Sequence, residues 1–222
     1  MGWTEFIAAL AVFFVSHMLP VRPPKRGWLE ARLGRRGFTI SYSVLSLAVL
    51  AWLIIAAGRA PYVPIWAWAP WQLYVPLIAM LPACVLVTLA IGRANPFSFG
   101  GGADAAFDPV RPGLVRWMRH PLLVALALWA FAHIPPNGNL AHGILFGTFA
   151  TFALAGQALV DRRRKRALGA QWGRLDAQVR QGPLLPKPHN PGMAILRIAM
   201  GLALYAGLIL LHPHLFGVSP LP

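Results

Sequence analysis

A single cysteine, Cys84, stands in a chain of 222 residues, so the fold holds no internal disulfide and no thiolate metal cluster. Carboxylates are nearly as scarce, six against twenty lysines and arginines. No apolar run contains a pair of them, and G-x-S-x-G, H-E-x-x-H and C-x-x-C are all missing, which leaves hydrolase and metalloprotease chemistry without its parts. The run Gly100-Gly101-Gly102 has no strand before it and no Lys-Ser/Thr after it. It reads as a flexible connection and not a phosphate loop. There is no internal repeat and no low-complexity segment that needs a domain of its own.

What the chain has instead is apolar length. Hydrophobic residues make up 57% and charged residues 12%, with a mean hydropathy of +0.58, far from a soluble domain. The expected fold is all-α: one polytopic membrane bundle over residues 1–222, with about six spans near 3–19, 38–57, 73–91, 120–134, 140–160 and 193–211. The first span is preceded by no basic region and followed by no small-residue cleavage site, so it is expected to be retained. Pro76 and Pro82 are expected to kink the third unless it starts late. The segment GRAPYVPIWAWAPWQ, with one charge and three tryptophans, reads as an interfacial aromatic belt. Leu168, Trp172, Leu175 and Val179 fall on one face of a basic segment, the pattern of a helix lying on the membrane surface.

The net charge of +14 sits between the spans. Segments 21–37, 92–120 and 161–192 carry six, four and eight of the twenty basic residues, and the opposite side has Arg59 alone. By the positive-inside rule these three loops are cytoplasmic and both termini lie outside, in a bacterial-type inner (plasma) membrane. Topology thus accounts for the charge, which removes nucleic acid as a partner and leaves membrane lipid, with anionic lipid expected at 161–166.

The chain is organised around Arg119 to Gly138, RHPLLVALALWAFAHIPPNG, a hydrophobic run with a histidine, a proline and a polar turn at its ends. Proline in a first helical turn loses only an N–H that has no intrahelical partner, so His120-Pro121 opens the helix and Pro135-Pro136-Asn137-Gly138 closes it. The tight turn makes a helical hairpin with the next span. His120 and His133 then lie about 20 Å apart along the axis and roughly 140° apart around it. Together with His17 they are polar groups in or at the ends of spans, where such groups are expensive. Each alone reads as a satisfied polar group; three point to a site. With apolar walls and no cysteine or carboxylate beside them, a haem iron suits them better than zinc or a di-iron centre. Asp161-Arg162 at the mouth of the fifth span reads as a polar anchor or as part of a cofactor site.

His17, Arg36-Gly37-Phe38, Arg119-His120-Pro121, Trp129 with Ala132-His133, Asn137-Gly138, Asp161-Arg162-Arg163 and His212-Pro213 follow one another in an order that resembles the NnrU family, which includes the 15-cis-zeta-carotene isomerases. The resemblance runs over nearly the whole chain. It implies haem b held by the counterparts of the isomerase ligands, His17 and His133, and possession of a polyene isomerase activity or a part in nitrite and nitric oxide metabolism. The isomerase cysteine thought to take part in ligand switching falls at Ala130, which puts that mechanism, though not haem binding, in question. Straight helices would set His17 level with His120 and far from His133, so His17 with His120 stands as the alternative pair. An apolar small-molecule substrate enters from the lipid in this reading, along a channel lined by Trp129 and Phe131; the redox partner is unknown.

A second class is similar to the isoprenylcysteine-type membrane methyltransferases: Arg119-His120-Pro121, then Asp161 in place of their usual glutamate, then a basic segment from Gly169 to Pro186. Here His120, Asp161 and Arg162 would hold S-adenosylmethionine, and His17 is left without a role. A non-enzymatic membrane scaffold is the third reading.

Overall fold

The computed structural model describes residues 2–19, 23–99, 106–184, 188 and 190–222. The Gly100–Gly102 run and Pro186 lie outside the described residues. Among the described residues the chain is all-helical apart from an isolated bridge between Pro64 and Asn139, and it divides into two compact units.

The first unit comprises residues up to Ala67 together with Gly138–Leu145. Helix α1 (Gly2–Met18) places Phe6, Ala9 and Phe13 in a buried row, the i, i+3, i+7 spacing of one helical face. It runs antiparallel to α2 (Pro23–Arg59): Glu5 near its start accepts from Trp52 Nε1 at 3.4 Å and Arg59 Nη1 at 3.5 Å, while His17 at its end meets the Tyr42 ring at 6.1 Å. Small side chains, Ala56 and Ala57, are buried beside Leu53 on α2. Gly34 breaks α2 at φ 69° and ψ 161°, a conformation open to glycine and costly to residues with a Cβ. The basic stretch therefore forms a short arm ahead of the apolar part. Behind α2, Ile65 N donates to Gly138 O at 2.8 Å and Leu140 N to Val63 O at 2.9 Å. Gly138 has no room for a side chain there, since a Cβ would fall 2.3 Å from Trp66 O.

The second unit comprises Trp68–Asn137 and Phe146–Pro222. It contains α3 (Tyr74–Ala90), α4 (Pro121–His133), most of α5 (Leu140–Leu168), α6 (Ala170–Gln181) and α7 (Pro191–Phe216). Helix α3 takes Pro76 in its first turn and runs on through Pro82. It packs antiparallel to α7, tied by Tyr205 OH to Leu77 O at 2.9 Å and by Arg197 Nη1 to Thr88 O and Ile91 O at 2.8 and 2.7 Å. Asn190 caps α7 by accepting from Met193 N, and Pro191 opens it. Helices α4 and α5 form the expected hairpin: Trp129 stacks edge-on against Phe146 and Phe149 at 5.3 and 5.4 Å, Leu123 lies against Gly156, and Arg119 reaches Asp161.

Among the described residues, four stretches are long and apolar enough to cross a membrane: Lys25–Arg59, Pro70–Ala90, Leu140–Leu168 and Pro191–Phe216. Their outer faces carry large exposed apolar side chains, Ile78, Leu159, Ile195 and Leu210 among them, which is a lipid-facing surface and not a soluble one. The chain is a membrane protein. Two of the six expected spans are shorter: α1 has 17 residues and α4 has 13. Proline at each end confines α4 to a rise of about 20 Å, against a hydrocarbon layer of about 30 Å.

The structure corrects the surface-helix expectation. Trp172 and Val179 of α6 are buried against Phe97 and Val115, with Leu168, Leu175 and Phe107 packed around them, and Phe97 meets Trp172 edge-on at 4.8 Å. The apolar face of α6 is thus covered by the chain's own connection between α3 and α4, because that connection supplies three apolar side chains of its own, Phe97, Phe107 and Val115.

Candidate functional site

The second unit gathers polar groups at the start of α4. His120 is the residue before the helix, and Pro121 is its first. The turn that follows α3 is shaped by Asn95, whose Nδ2 donates to Arg119 O at 2.9 Å and whose Oδ1 accepts from Phe97 N at 3.1 Å. This fixes Ser98 and His120 against each other. Ser98 Oγ lies 3.0 Å from His120 Nδ1, and His120 Nε2 lies 2.9 Å from Asp161 Oδ1. Arg119 clasps the same carboxylate through Nη2 to Oδ2 at 2.8 Å and Nε to Oδ1 at 3.3 Å, and extends to Asp176 at 3.5 Å, which Arg180 also holds at 2.9 Å. Arg164 donates to Ser98 O.

Ser98, His120 and Asp161 have the connectivity of a hydrolytic triad. Ser98 is only 1% exposed and His120 3%, so no substrate reaches the hydroxyl. The cluster locks the α4–α5 hairpin to the connection after α3. Of the residues read from sequence, His120 and Asp161 come together, but Arg162 does not: it is exposed, one position around α5 from the face that carries Asp161 and Arg164. The partners that sequence reasoning missed are Ser98, Arg119, Arg164 and Asp176. Arg119 stands inside the Arg-His-Pro motif and Arg164 lies one turn beyond Asp161, which were the available signals; Ser98 gave none.

Burial holds the His120 imidazole below its ordinary value of 6.5, and Arg119 pushes the same way, against the pull of Asp161. The ring is neutral, with Nε2–H donating to Asp161 and Nδ1 accepting from Ser98 Oγ–H. A histidine whose folded value is lowered contributes its full stability above pH 6.5 and loses it as the pH falls below that value. The thermal midpoint of the detergent-solubilised protein is therefore expected to drop between about pH 7 and pH 5, and His120→Gln is expected to flatten that drop. An equal drop in both proteins would contradict it.

The other two histidines are arranged differently. In the first unit, His17 Nδ1 lies 2.8 Å from Phe13 O one turn back, and its ring rests 4.2 Å from the Phe13 ring. In the second, His133 Nδ1 lies 2.7 Å from Trp129 O, with its ring stacked on Phe146 at 5.3 Å and beside Trp129 at 5.5 Å. A carbonyl only accepts, so Nδ1 of each ring carries the proton and Nε2 carries the lone pair. His212 Nδ1 is held in the same way by Val218 O at 2.8 Å. His120 has both ring nitrogens engaged and offers no lone pair. Phe131, expected beside Trp129 in a channel, points outward and is 48% exposed; Phe146 and Phe149 line the Trp129 side instead. Among the described residues, no group of three or more histidine, cysteine or carboxylate side chains could hold a metal ion.

Residues 5–220 match the model of a protein family described as NnrU protein. No curated protein and no solved structure matches the chain.

Proposed function

The chain belongs to the NnrU family, and from that premise we propose that it is a haem b-binding membrane protein in which the imidazoles of His17 and His133 would hold the iron. One observation carries the reading: both rings donate Nδ1–H to the carbonyl one turn back and keep Nε2 for a metal, the arrangement typical of metal-ligating histidine. His120, the alternative partner, has both nitrogens occupied.

When bound, haem supplies a redox-active iron centre. The chain's own contribution is to orient the imidazoles and to surround them with Phe13, Trp129 and Phe146, which exclude water. The reaction we assign is cis–trans isomerisation of a polyene such as zeta-carotene that enters from the lipid; the other family role is in nitrite or nitric oxide metabolism. We place the protein in a bacterial-type inner membrane with six passes and both termini outside. The distribution of lysine and arginine supports this, as does the packing of short α4 alongside the longer α5. The S-adenosylmethionine reading has less support, because His120 and Asp161 are satisfied by each other, Ser98 and Arg119.

Detergent-purified, haem-supplemented protein is expected to show a Soret band near one haem per chain, and His17→Ala or His133→Ala to lose most of it. Absence of the band from the wild type would overturn the haem reading and favour a scaffold. No conversion of the cis-carotene by haem-loaded protein in liposomes would overturn the isomerase assignment alone.

A further inference from the structure

Helix α2 is too long for one membrane crossing. Its 37 residues would run about 55 Å if straight, whereas the hydrocarbon layer is about 30 Å thick. Residues 38–59 alone rise about 33 Å and fill that layer, so the stretch ahead of them lies outside it. Gly34 stands at this boundary and takes the non-helical φ 69° and ψ 161°. The helix resumes directly beyond it, where Thr39 Oγ1 donates to Arg35 O one turn back at 2.9 Å. In a straight helix Arg26 and Phe38 would stand about 18 Å apart along the axis. Here the Arg26 guanidinium lies 5.7 Å from the centre of the Phe38 ring, so residues 23–33 fold back across the base of the span.

The arm that folds back is basic and apolar at once. From 25 to 36 the chain carries Lys25, Arg26, Arg32, Arg35 and Arg36 against Glu30 alone, which Arg26 meets at 2.9 Å. Lys25, Arg32, Arg35 and Arg36 are exposed. Among them stand apolar groups that water does not favour, Trp28 at 55% exposure and Leu33 at 49%. The Arg32 guanidinium lies over the Trp28 ring, 4.3 Å from its centre, a cation–π pair that joins charge to apolar surface. At 100° per residue Trp28, Arg32, Lys25 and Leu33 fall within an arc of about 140°, with Gly27 and Ala31 on the opposite side. Membrane topology accounts for cationic residues at this end of α2. It does not call for a helix that bends over at a glycine and sets a tryptophan among them.

A helix with arginine, lysine, tryptophan and leucine on one side, held at the edge of the hydrocarbon layer, suits the headgroup region of an anionic bilayer. We propose that residues 23–33 lie on the membrane surface and bind its anionic phospholipids, with Gly34 as the bend that lays them there. Trp28 and Leu33 enter the headgroup–acyl boundary, where tryptophan is favoured, and Lys25, Arg32, Arg35 and Arg36 meet the phosphates. The surface is separate from the basic run at 161–166, which belongs to α5.

A nitroxide on Leu33→Cys in the whole chain, with Cys84→Ser removing the one native thiol, tests this through its collisions with an aqueous nickel chelate. In liposomes of equal parts phosphatidylglycerol and phosphatidylcholine the label is expected to be shielded, with collisions at least about fivefold rarer than in phosphatidylcholine alone, the scale of one basic side chain at an anionic surface. Arg32→Gln/Arg35→Gln is expected to restore collisions to the phosphatidylcholine level. Gly34→Ala, which disfavours the positive φ, is expected to straighten the arm into water and do the same in both lipids. Free access in the mixed liposomes would overturn the proposal. Equal shielding in the two lipids would overturn the anionic-lipid assignment, and shielding that persists in detergent would show that the chain itself covers the arm and overturn the membrane surface as its partner. None of these readouts depends on haem, so the two readings fail separately.

Discussion

Asp161→Ala is expected to destabilise the second unit by about 3 kcal/mol, measured as a shift of the denaturation midpoint in detergent. The carboxylate is the shared partner of Arg119 and His120. Without it the Arg119 guanidinium keeps only the 3.5 Å contact to Asp176, and the His120 N–H loses its acceptor in a setting where the residue is 3% exposed. Removing one member of a buried pair costs more than the pair contributes, because the other charge stays desolvated. Side-chain exposures of 36% for Arg119 and 17% for Asp161 set the effect at the lower end of the range for buried pairs. Replacing both, as Arg119→Met/Asp161→Leu, is expected to recover part of the loss. A shift within about 0.5 kcal/mol, the range of ordinary surface substitutions, would show that the cluster does not hold the hairpin.

Gly201→Leu is expected to part α3 from α7, with a loss of at least about 2 kcal/mol. A Cβ at this position would lie 2.8 Å from Val85 Cα and 2.8 Å from Thr88 Oγ1, and the first of these is backbone that cannot swing aside. Inside a lipid layer there is no hydrophobic drive to compensate, since tails solvate apolar side chains as well as a neighbouring helix does; close packing at small residues is what holds helices together. Loss of the crossing also strains the Arg197 and Tyr205 bonds to α3 carbonyls. Gly207→Leu is the control, because nothing lies within 4 Å of its Cβ position, and it is expected to be neutral. Equal effects at the two glycines would contradict the packing account.

The helical course of the chain was legible because long apolar runs punctuated by Pro, Gly and Arg leave few alternatives: the α4–α5 hairpin follows from PPNGN, and the helix start at Pro121 from His120-Pro121. The extent of α4 was legible as well, since the prolines that bound the run at 120–134 in the sequence confine the helix to Pro121–His133. The face of α6 was read correctly but its partner was not, because Phe97 and Val115 are single apolar residues in a connection rich in Gly and Pro. At the site, His120 and Asp161 stood out as polar groups at span ends. Ser98 did not, since one serine in a loop carries no periodicity and its role depends on a fold that brings residues 22 apart into contact. The division of the three histidines into two with a spare Nε2 and one with none is a matter of hydrogen-bond direction, which no spacing encodes.

The most direct test of the account compares His120→Gln with His133→Gln in visible absorption of oxidised and reduced haem-loaded protein. The account predicts that His120→Gln keeps the wild-type Soret position and haem content, whereas His133→Gln loses haem or shifts to the spectrum of a five-coordinate iron. A wild-type spectrum in His133→Gln together with a lost or shifted band in His120→Gln would contradict it, and would make His120 the ligand.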